Sequence, residues 1–174
     1  MEPRVSRGTE FVSQKPLIRR ATPSDAKAVS TLLRRAFLEF EALYTPEAFI
    51  ATVQPESGVL NRLEEGPLWI AENEHGLVGT VTAICSADSV MVRGMAVDPD
   101  ARGLGIGKTL LSLTEDFARD QDLEHMSLYT AAFLQRAIGL YQSSGFAFTG
   151  EKASPHGTEL LRMVKVLANE DTGR

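Results

Sequence analysis

A turn built on alternating glycines, placed between a strand and a helix, constrains the fold of this chain more than any other segment. The apolar run Val90–Val97 reads as a strand that ends at Asp98-Pro99, and an amphipathic helix begins near Ile106. Between them stands Arg102-Gly-Leu-Gly-Ile-Gly107, followed by Lys108. Glycines permit a tight backbone path, and the N–H groups at a helix N-terminus bind anions. The segment therefore predicts a binding site for a small molecule that carries phosphate.

The spacing of this turn excludes two common nucleotide motifs. A P-loop needs four residues between its first glycine and the Gly-Lys-Thr that ends it, whereas Gly103 and Gly107-Lys108-Thr109 are separated by three. The dinucleotide fingerprint needs G-x-G-x-x-G, and the segment here is G-x-G-x-G. The spacing here differs by one residue from that of each motif, so we expect the phosphate-bearing ligand to differ from those that the two motifs bind.

The hydrophobic pattern predicts one mixed α/β domain. We expect a tail over residues 1–16, a single domain over 17–168 and a second tail over 169–174, and the segment Ser57 to Gly66 receives no element. The predicted helices are one after Thr22-Pro23, one over about Pro46 to Val53, one after the glycine turn and one over about Ala132 to Ser144. The predicted strands begin at Leu17, Leu68, Leu77, Val90, Met126, Phe146 and Leu160.

Composition limits the partners of such a domain. The 174 residues carry 18 Lys and Arg against 23 Asp and Glu, and this net charge of −5 argues against nucleic acids as partners. No apolar run reaches the ~18 residues of a membrane span, and no secretory signal precedes the domain. The single cysteine, Cys85, has no metal-ligand spacing. We expect a cytoplasmic monomer or homodimer with no metal, no nucleic acid and no membrane partner.

Two motifs resemble those of the GCN5-related N-acetyltransferases. The family's acetyl-CoA motif, Q/R-x-x-G-x-G/A, is matched by the run from Arg102 to Gly107, and Met95-Ala96-Val97-Asp98-Pro99 is similar to its usual lead-in. Downstream, Ala137-Ile-Gly-Leu-Tyr-Gln-Ser-Ser-Gly-Phe146 resembles A-x-x-L-Y-x-x-x-G-F. The order of elements from Leu17 to Leu167 also fits, so the resemblance covers nearly the whole chain apart from its tail.

This resemblance implies both a fold and a site. The fold would be a central mixed, mostly antiparallel sheet of six or seven strands with helices on both faces, opened into a cleft between Val90–Val97 and Met126–Thr130. Acetyl-CoA would be the co-substrate, and Tyr141 would protonate the departing thiolate. The implied cofactor-binding residues are Met95, Ala96 and Val97, through main-chain contacts with pantetheine, and Arg102, Gly103, Leu104, Gly105, Ile106, Gly107 and Lys108 around the pyrophosphate.

Two positions depart from the family pattern. Leu134 stands where many members have an asparagine that contacts the cofactor, and Met91 stands where many have a glutamate that acts as general base through water. A thioether cannot take up a proton, so the base is unassigned. We expect a remote carboxylate or a backbone carbonyl to act through water, with Glu39 and Glu41 as the first candidates.

The remaining reactive side chains have simpler interpretations. Cys85, near the end of an apolar strand and without a histidine partner, is expected to be a buried thiol. His75 and His125 are expected to be solvated. His156 lies in a loop that borders the acceptor site in similar folds, which makes it a candidate substrate contact.

The function implied is transfer of an acetyl group from acetyl-CoA to a primary amine of a small molecule or peptide, by direct attack in a ternary complex. The alternatives are transfer of another acyl group or to another nucleophile, and a sensor that binds acyl-CoA without turnover. A third class is a domain that has lost the cofactor, but retention of Arg102, the glycines and Tyr141 argues against it. The acceptor depends on residues 38–66 and 150–159, whose pattern does not identify it.

Overall fold

The computed structural model describes residues 15–167, which form one seven-stranded sheet with helices on both faces. The strands lie in the order β1-β2-β3-β4-β5-β7-β6, and only β4 and β5 run parallel to each other. They are β1 (Leu17–Arg20), β2 (Leu68–Asn73), β3 (Gly76–Cys85), β4 (Ser89–Val97), β5 (His125–Thr130), β6 (Ala147–Ala153) and β7 (Leu160–Val166). The predicted fold class is confirmed. Apart from Lys15 and Pro16, the two expected tails lie outside the described residues.

Within residues 15–167, five α-helices accompany the sheet. They are α1 (Ala26–Phe37), α2 (Pro46–Val53), α3 (Glu56–Glu65), α4 (Ile106–Asp120) and α5 (Gln135–Ser143). On one face, α1 and α3 cover Leu68, Ile70 and Ala96. On the other face, α4 and Tyr141 of α5 pack against a larger core that includes Trp69, Val81 and Met163.

The start of α1 follows from local chemistry and is then fixed by tertiary contacts. Pro23 opens a short 3-10 turn, and the Thr22 N–H donates to the Asp25 carboxylate at 2.8 Å, as the sequence predicts. Arg19 of β1 donates two hydrogen bonds to Asp25, both at 2.9 Å, and also pairs with Glu72 of β2. The paired guanidinium lowers the pKa of Asp25 to about 2.

Two sequence expectations about this part of the fold are wrong. The segment for which no element was predicted forms helix α3. This helix buries only Val59 and Arg62, so its sequence has no apolar stripe that would indicate a helix. Cys85 is exposed rather than buried. It is the last residue of β3, and residues 86–88 of the hairpin to β4 that follow it are exposed as well.

Candidate active site

A cleft opens where β4 and β5 separate. The two strands pair only at their beginnings, through Ser89 with His125, Val90 with Met126 and Met91 with Ser127. Beyond Met91, β4 stays paired with β3, whereas β5 stays paired with β7 along its whole length. The resulting cleft has a volume of about 910 Å³ and lies between the two strands expected from the sequence.

An irregularity in β4 accompanies this separation. The register between β3 and β4 shifts between Thr80 and Thr82, so that Gly94 and Met95 have no partner residue on β3. Gly94 adopts a left-handed backbone with φ +56°. An extra residue in one strand bends it and re-aims its side chains, and such bulges are frequent beside functional sites. Met95, Ala96 and Val97, the predicted pantetheine-binding residues, all line the cleft.

The turn after β4 is held in place by charged side chains. The Asp98 carboxylate accepts from the Asp100 N–H at 2.9 Å and pairs with Arg35 of α1 at 3.1 Å. Gly103 and Gly105 then take left-handed conformations with φ +82° and +78°, which other residues adopt at a cost. A Cβ at either glycine would meet no atom within 4 Å, so the space in front of this backbone is open.

The third glycine of the turn also meets a packing requirement. Gly107 is buried in the first turn of α4, where a Cβ would come within 2.8 Å of Leu140 and 3.2 Å of Met95. This glycine lets α4 pack closely against α5 and β4. Of the three glycines, Gly103 and Gly105 face open space, whereas Gly107 can meet an anion only through its backbone N–H.

The backbone N–H groups at the start of α4 are available to a ligand. The first N–H of this helix with a backbone acceptor is that of Thr109, which donates to the Gly105 carbonyl at 3.0 Å. Within residues 15–167, the N–H groups of residues 103–108 have no backbone acceptor. All of these residues except the exposed Leu104 line the same cleft. Their N–H groups lie at a helix N-terminus with its partial positive charge, so the arrangement fits a pyrophosphate.

The basic side chains near this turn differ in how they are engaged. Arg102 donates to the Ala36 carbonyl at 3.0 Å and to the Glu39 carboxylate, so its charge is partly neutralised by the chain itself. Lys108 is exposed at the cleft wall. Arg136 of α5 also lines the cleft, a residue that the sequence expectations missed although it directly precedes the motif at Ala137.

Tyr141 lies at the wall of the cleft with its ring in the core. It is 8% exposed and packs against Phe146 with ring centroids 5.9 Å apart. Burial, with a smaller contribution from the nearby Tyr44, raises the pKa of Tyr141 to about 12. The phenol therefore stays protonated at neutral pH, as a proton donor requires.

The opposite wall is aromatic and comes from the segment after α1. Phe40 and Tyr44 line the cleft and pack around Phe133, with Tyr44 in an edge-to-face contact at 4.8 Å. Burial raises the pKa of Tyr44 to about 12 as well. Thr45, the N-cap of α2, accepts from the Ala48 N–H and donates through its own N–H to the Thr158 hydroxyl at 2.9 Å. This bond ties the loop between β6 and β7 to the aromatic wall.

Some of the candidate bases and remaining predicted residues line the cleft, and others do not. Glu39 lines the cleft in its ion pair with Arg102, whereas Glu41 is exposed and does not line the cleft. Met91 lies in the cleft, and so does Leu134, which is the N-cap of α5. His156 borders the cleft on its exposed loop, while His75 is solvated in the turn between β2 and β3 and His125 is half-buried at the start of β5.

Neither a metal-binding cluster nor a membrane-crossing helix is found among the described residues. Across residues 15–167, His, Cys, Asp and Glu side chains form no group of three that could hold a metal ion. In the same part of the chain, no helix combines the length and apolar character that crossing a membrane requires.

Comparison with known proteins extends these observations. Human N-acetyltransferase 8B is 39% identical over 89 residues, which cover 48% of this chain and 39% of that protein. This chain thus spans about two fifths of the length of the mammalian relatives that it matches. An uncharacterized N-acetyltransferase of Escherichia coli K12, YjgM, is 28% identical over 140 residues, covering 76% of this chain and 83% of that protein.

Solved structures show the same fold. The PaiA N-acetyltransferase of Thermoplasma acidophilum, crystallised in complex with coenzyme A, superposes with a TM-score of 0.73 at 18% identity, covering 87% of this chain and 99% of that one. The ribosomal-protein-alanine N-acetyltransferase of Brucella melitensis superposes with a TM-score of 0.68 at 26% identity, covering 87% and 99%. The sequence model described as the Acetyltransferase (GNAT) family matches residues 27–146, more than half of the chain. This protein belongs to the GNAT family of acetyltransferases.

Proposed function

We propose that this protein transfers the acetyl group of acetyl-CoA to a primary amine by direct attack while both substrates are bound. The observation that carries the proposal is that three features share one cleft: the open edge of β4, the N–H groups of residues 103–108 and the Tyr141 phenol. A small amine and a thioester held together in this cleft gain mainly from proximity and orientation.

The residues that line the cleft are suited to binding the pyrophosphate and the pantetheine of the co-substrate. The N–H groups of residues 103–108 would hold the pyrophosphate, with Lys108 and Arg136 adding positive charge at the cleft wall. The main chain of β4 beyond Met91 is not paired with β5 and would bind the amide groups of pantetheine. The Thr130 hydroxyl, at the end of β5, is buried without a hydrogen-bond partner among the described residues, which supports a polar ligand on that side.

When bound, acetyl-CoA supplies an activated thioester carbonyl. The amine nitrogen forms a bond to the carbonyl carbon, the carbon–sulfur bond breaks, and Tyr141 donates its proton to the departing thiolate. The ammonium proton of the acceptor must leave before attack, and Glu39 is the one carboxylate among the described residues that line the cleft. Its pairing with Arg102 makes water the first proton acceptor that we expect, with Glu39 stabilising it.

Steady-state kinetics test the order of events. Initial-rate plots should intersect, and Cys85→Ala should remain fully active, because the only thiol of the chain is exposed at a strand end and does not line the cleft. Parallel double-reciprocal lines together with a trapped acetyl-enzyme would overturn direct attack.

Tyr141→Phe should lose about 10²–10⁴-fold in kcat while binding CoA normally. A fully active Tyr141→Phe would mean that this tyrosine serves only in core packing.

A further inference from the structure

Arg62 is a buried cation without a partner among residues 15–167. It lies in the last turn of α3 and is 7% exposed. It follows Val59 by three residues, so both side chains point toward the sheet. Within residues 15–167, its guanidinium makes no hydrogen bond and no ion pair. Buried arginines are almost always paired, so this guanidinium is available to a group from outside the described residues.

The guanidinium is directed into the cleft at the bulge of β4. Arg62 lines the cleft, and its Nη1 lies 2.2 Å from the place that a Cβ on Gly94 would occupy. A side chain at residue 94 would displace this group, so the glycine makes room for it. On β4, Gly94 faces Arg62 and Ala96 packs with α1 and α3, whereas Met95 and Val97 approach Gly107 at the start of α4. Arg62 and the pyrophosphate turn therefore lie on opposite sides of β4.

The charged side chains that line the cleft also differ between its two ends. Its charged lining comprises one carboxylate, Glu39, and five basic side chains, which are Arg62, Arg93, Arg102, Lys108 and Arg136. Glu39 is committed to Arg102 at the pyrophosphate end. Burial and the neighbouring Arg93 lower the pKa of Arg62 to about 10, with Glu65 opposing the shift, so Arg62 is still protonated at neutral pH. The far end of the cleft is positive although the whole chain has a net charge of −5.

Resting on the acetyl transfer proposed above, we infer that Arg62 binds an anionic oxygen group of the acceptor, a carboxylate or a phosphate, beside the amine that is acetylated. A planar guanidinium presents two parallel N–H donors that match either group. The substrate class is thus amines that also carry a negative charge, which the overall acidity of the chain does not suggest. Arg93, exposed at the same end, would add long-range attraction.

Matched acceptors test the inference. Phenylalanine is compared with phenylalaninamide, and O-phosphoethanolamine with ethanolamine, in wild type, Arg62→Gln and Arg62→Lys. We expect wild type to favour the anionic member of at least one pair by about tenfold or more in kcat/KM, mainly through KM. The first pair points to a carboxylate and the second to a phosphate. The preference should vanish in Arg62→Gln and be partly restored by Arg62→Lys, whereas the control Lys27→Gln, which removes an exposed charge outside the cleft, should keep it.

Two readouts separate this inference from its alternatives. Arg62→Met should leave the unfolding midpoint of the ligand-free protein unchanged or raised, since it removes a buried charge without a partner. A strongly lowered midpoint would assign Arg62 to the fold and overturn the inference. With CoA bound, N-acetylphenylalanine or N-acetyl-O-phosphoethanolamine should bind more tightly than its neutral counterpart, N-acetylphenylalaninamide or N-acetylethanolamine, to wild type but not to Arg62→Gln. If that binding preference is seen without turnover of any amine, the anion site stands and the proposed transfer fails. If wild type acetylates neutral and anionic acceptors equally and binds both products equally, the anion site is wrong.

Discussion

The guanidinium of Arg102 donates a hydrogen bond to the carboxylate of Glu39 and another to the carbonyl of Ala36. One residue thereby ties the glycine turn to the end of α1, on the opposite side of β4 from α4. The motif residue expected to offer a free charge to phosphate is engaged by the chain itself. We therefore expect Arg102 to influence co-substrate binding largely through the position of the turn.

We expect Glu39→Gln to weaken CoA binding several-fold, because the partner that fixes Arg102 loses its charge. Glu41→Gln is the matched control and should change nothing, since Glu41 is exposed and does not line the cleft. Isothermal titration with CoA measures both variants. A loss of kcat at saturating acetyl-CoA, with CoA affinity unchanged, would instead make Glu39 the general base.

Replacing Gly105 by valine should weaken CoA binding at least tenfold, about 1.4 kcal/mol, because the new side chain occupies the open space in front of the turn. Gly150→Val is the matched control. Its φ of +86° is close to the +78° of Gly105, and it also meets no atom within 4 Å, but it does not line the cleft. Both variants carry similar backbone strain, and only Gly105→Val should affect calorimetric affinity. Equal CoA affinity in the two folded variants would move the pyrophosphate elsewhere.

The pH–rate profile should rise through the neutral and alkaline range without an early decline. The acceptor amine becomes nucleophilic as it loses its proton, which raises kcat/KM with pH. Tyr141 acts in its protonated form, and its pKa of about 12 keeps that form dominant until far above pH 10. Stopped assays of thiol release from pH 6 to 10 measure the profile. A fall in kcat between pH 8 and 10 in wild type that is absent from Tyr141→Phe would contradict this assignment.

Acid should destabilise the protein in part through Asp25. Arg19 lowers the pKa of this carboxyl to about 2 in the folded protein, whereas an unfolded aspartate titrates near 3.9. The stabilisation from ionised Asp25 is complete above the unfolded value and is lost as pH falls from about 4 to 2. Asp25→Asn should therefore be less stable than wild type at pH 7, and the difference should shrink at pH 3 in urea titrations. Asp116→Asn, at an exposed site on α4, is the control and should show no such difference.

Local chemistry in the sequence is sufficient to predict the elements around the pyrophosphate turn. Asp98-Pro99 and the glycines act within a few residues, and the apolar spacing of α1 and α4 follows the helical period. The bounds of α2 follow from Thr45 and Pro46 in the same way, and Thr45 does cap that helix. The side of the sheet on which the cleft opens was implied by the family resemblance rather than by these local signals.

Tertiary structure alone brings Tyr44 and Arg62 into the cleft with Arg136 and Tyr141 of α5, because these residues lie on three separate segments that meet where β4 and β5 separate. It also leaves Cys85 exposed and distinguishes Gly107, which packs, from Gly105, which faces open space. The segment that forms α3 has almost no apolar period, since one of its two buried residues is an arginine. Features whose causes lie within one turn of helix or one strand could be predicted from the sequence. Only the folded chain decided which charges stay without a partner, since pairing depends on residues far apart in sequence.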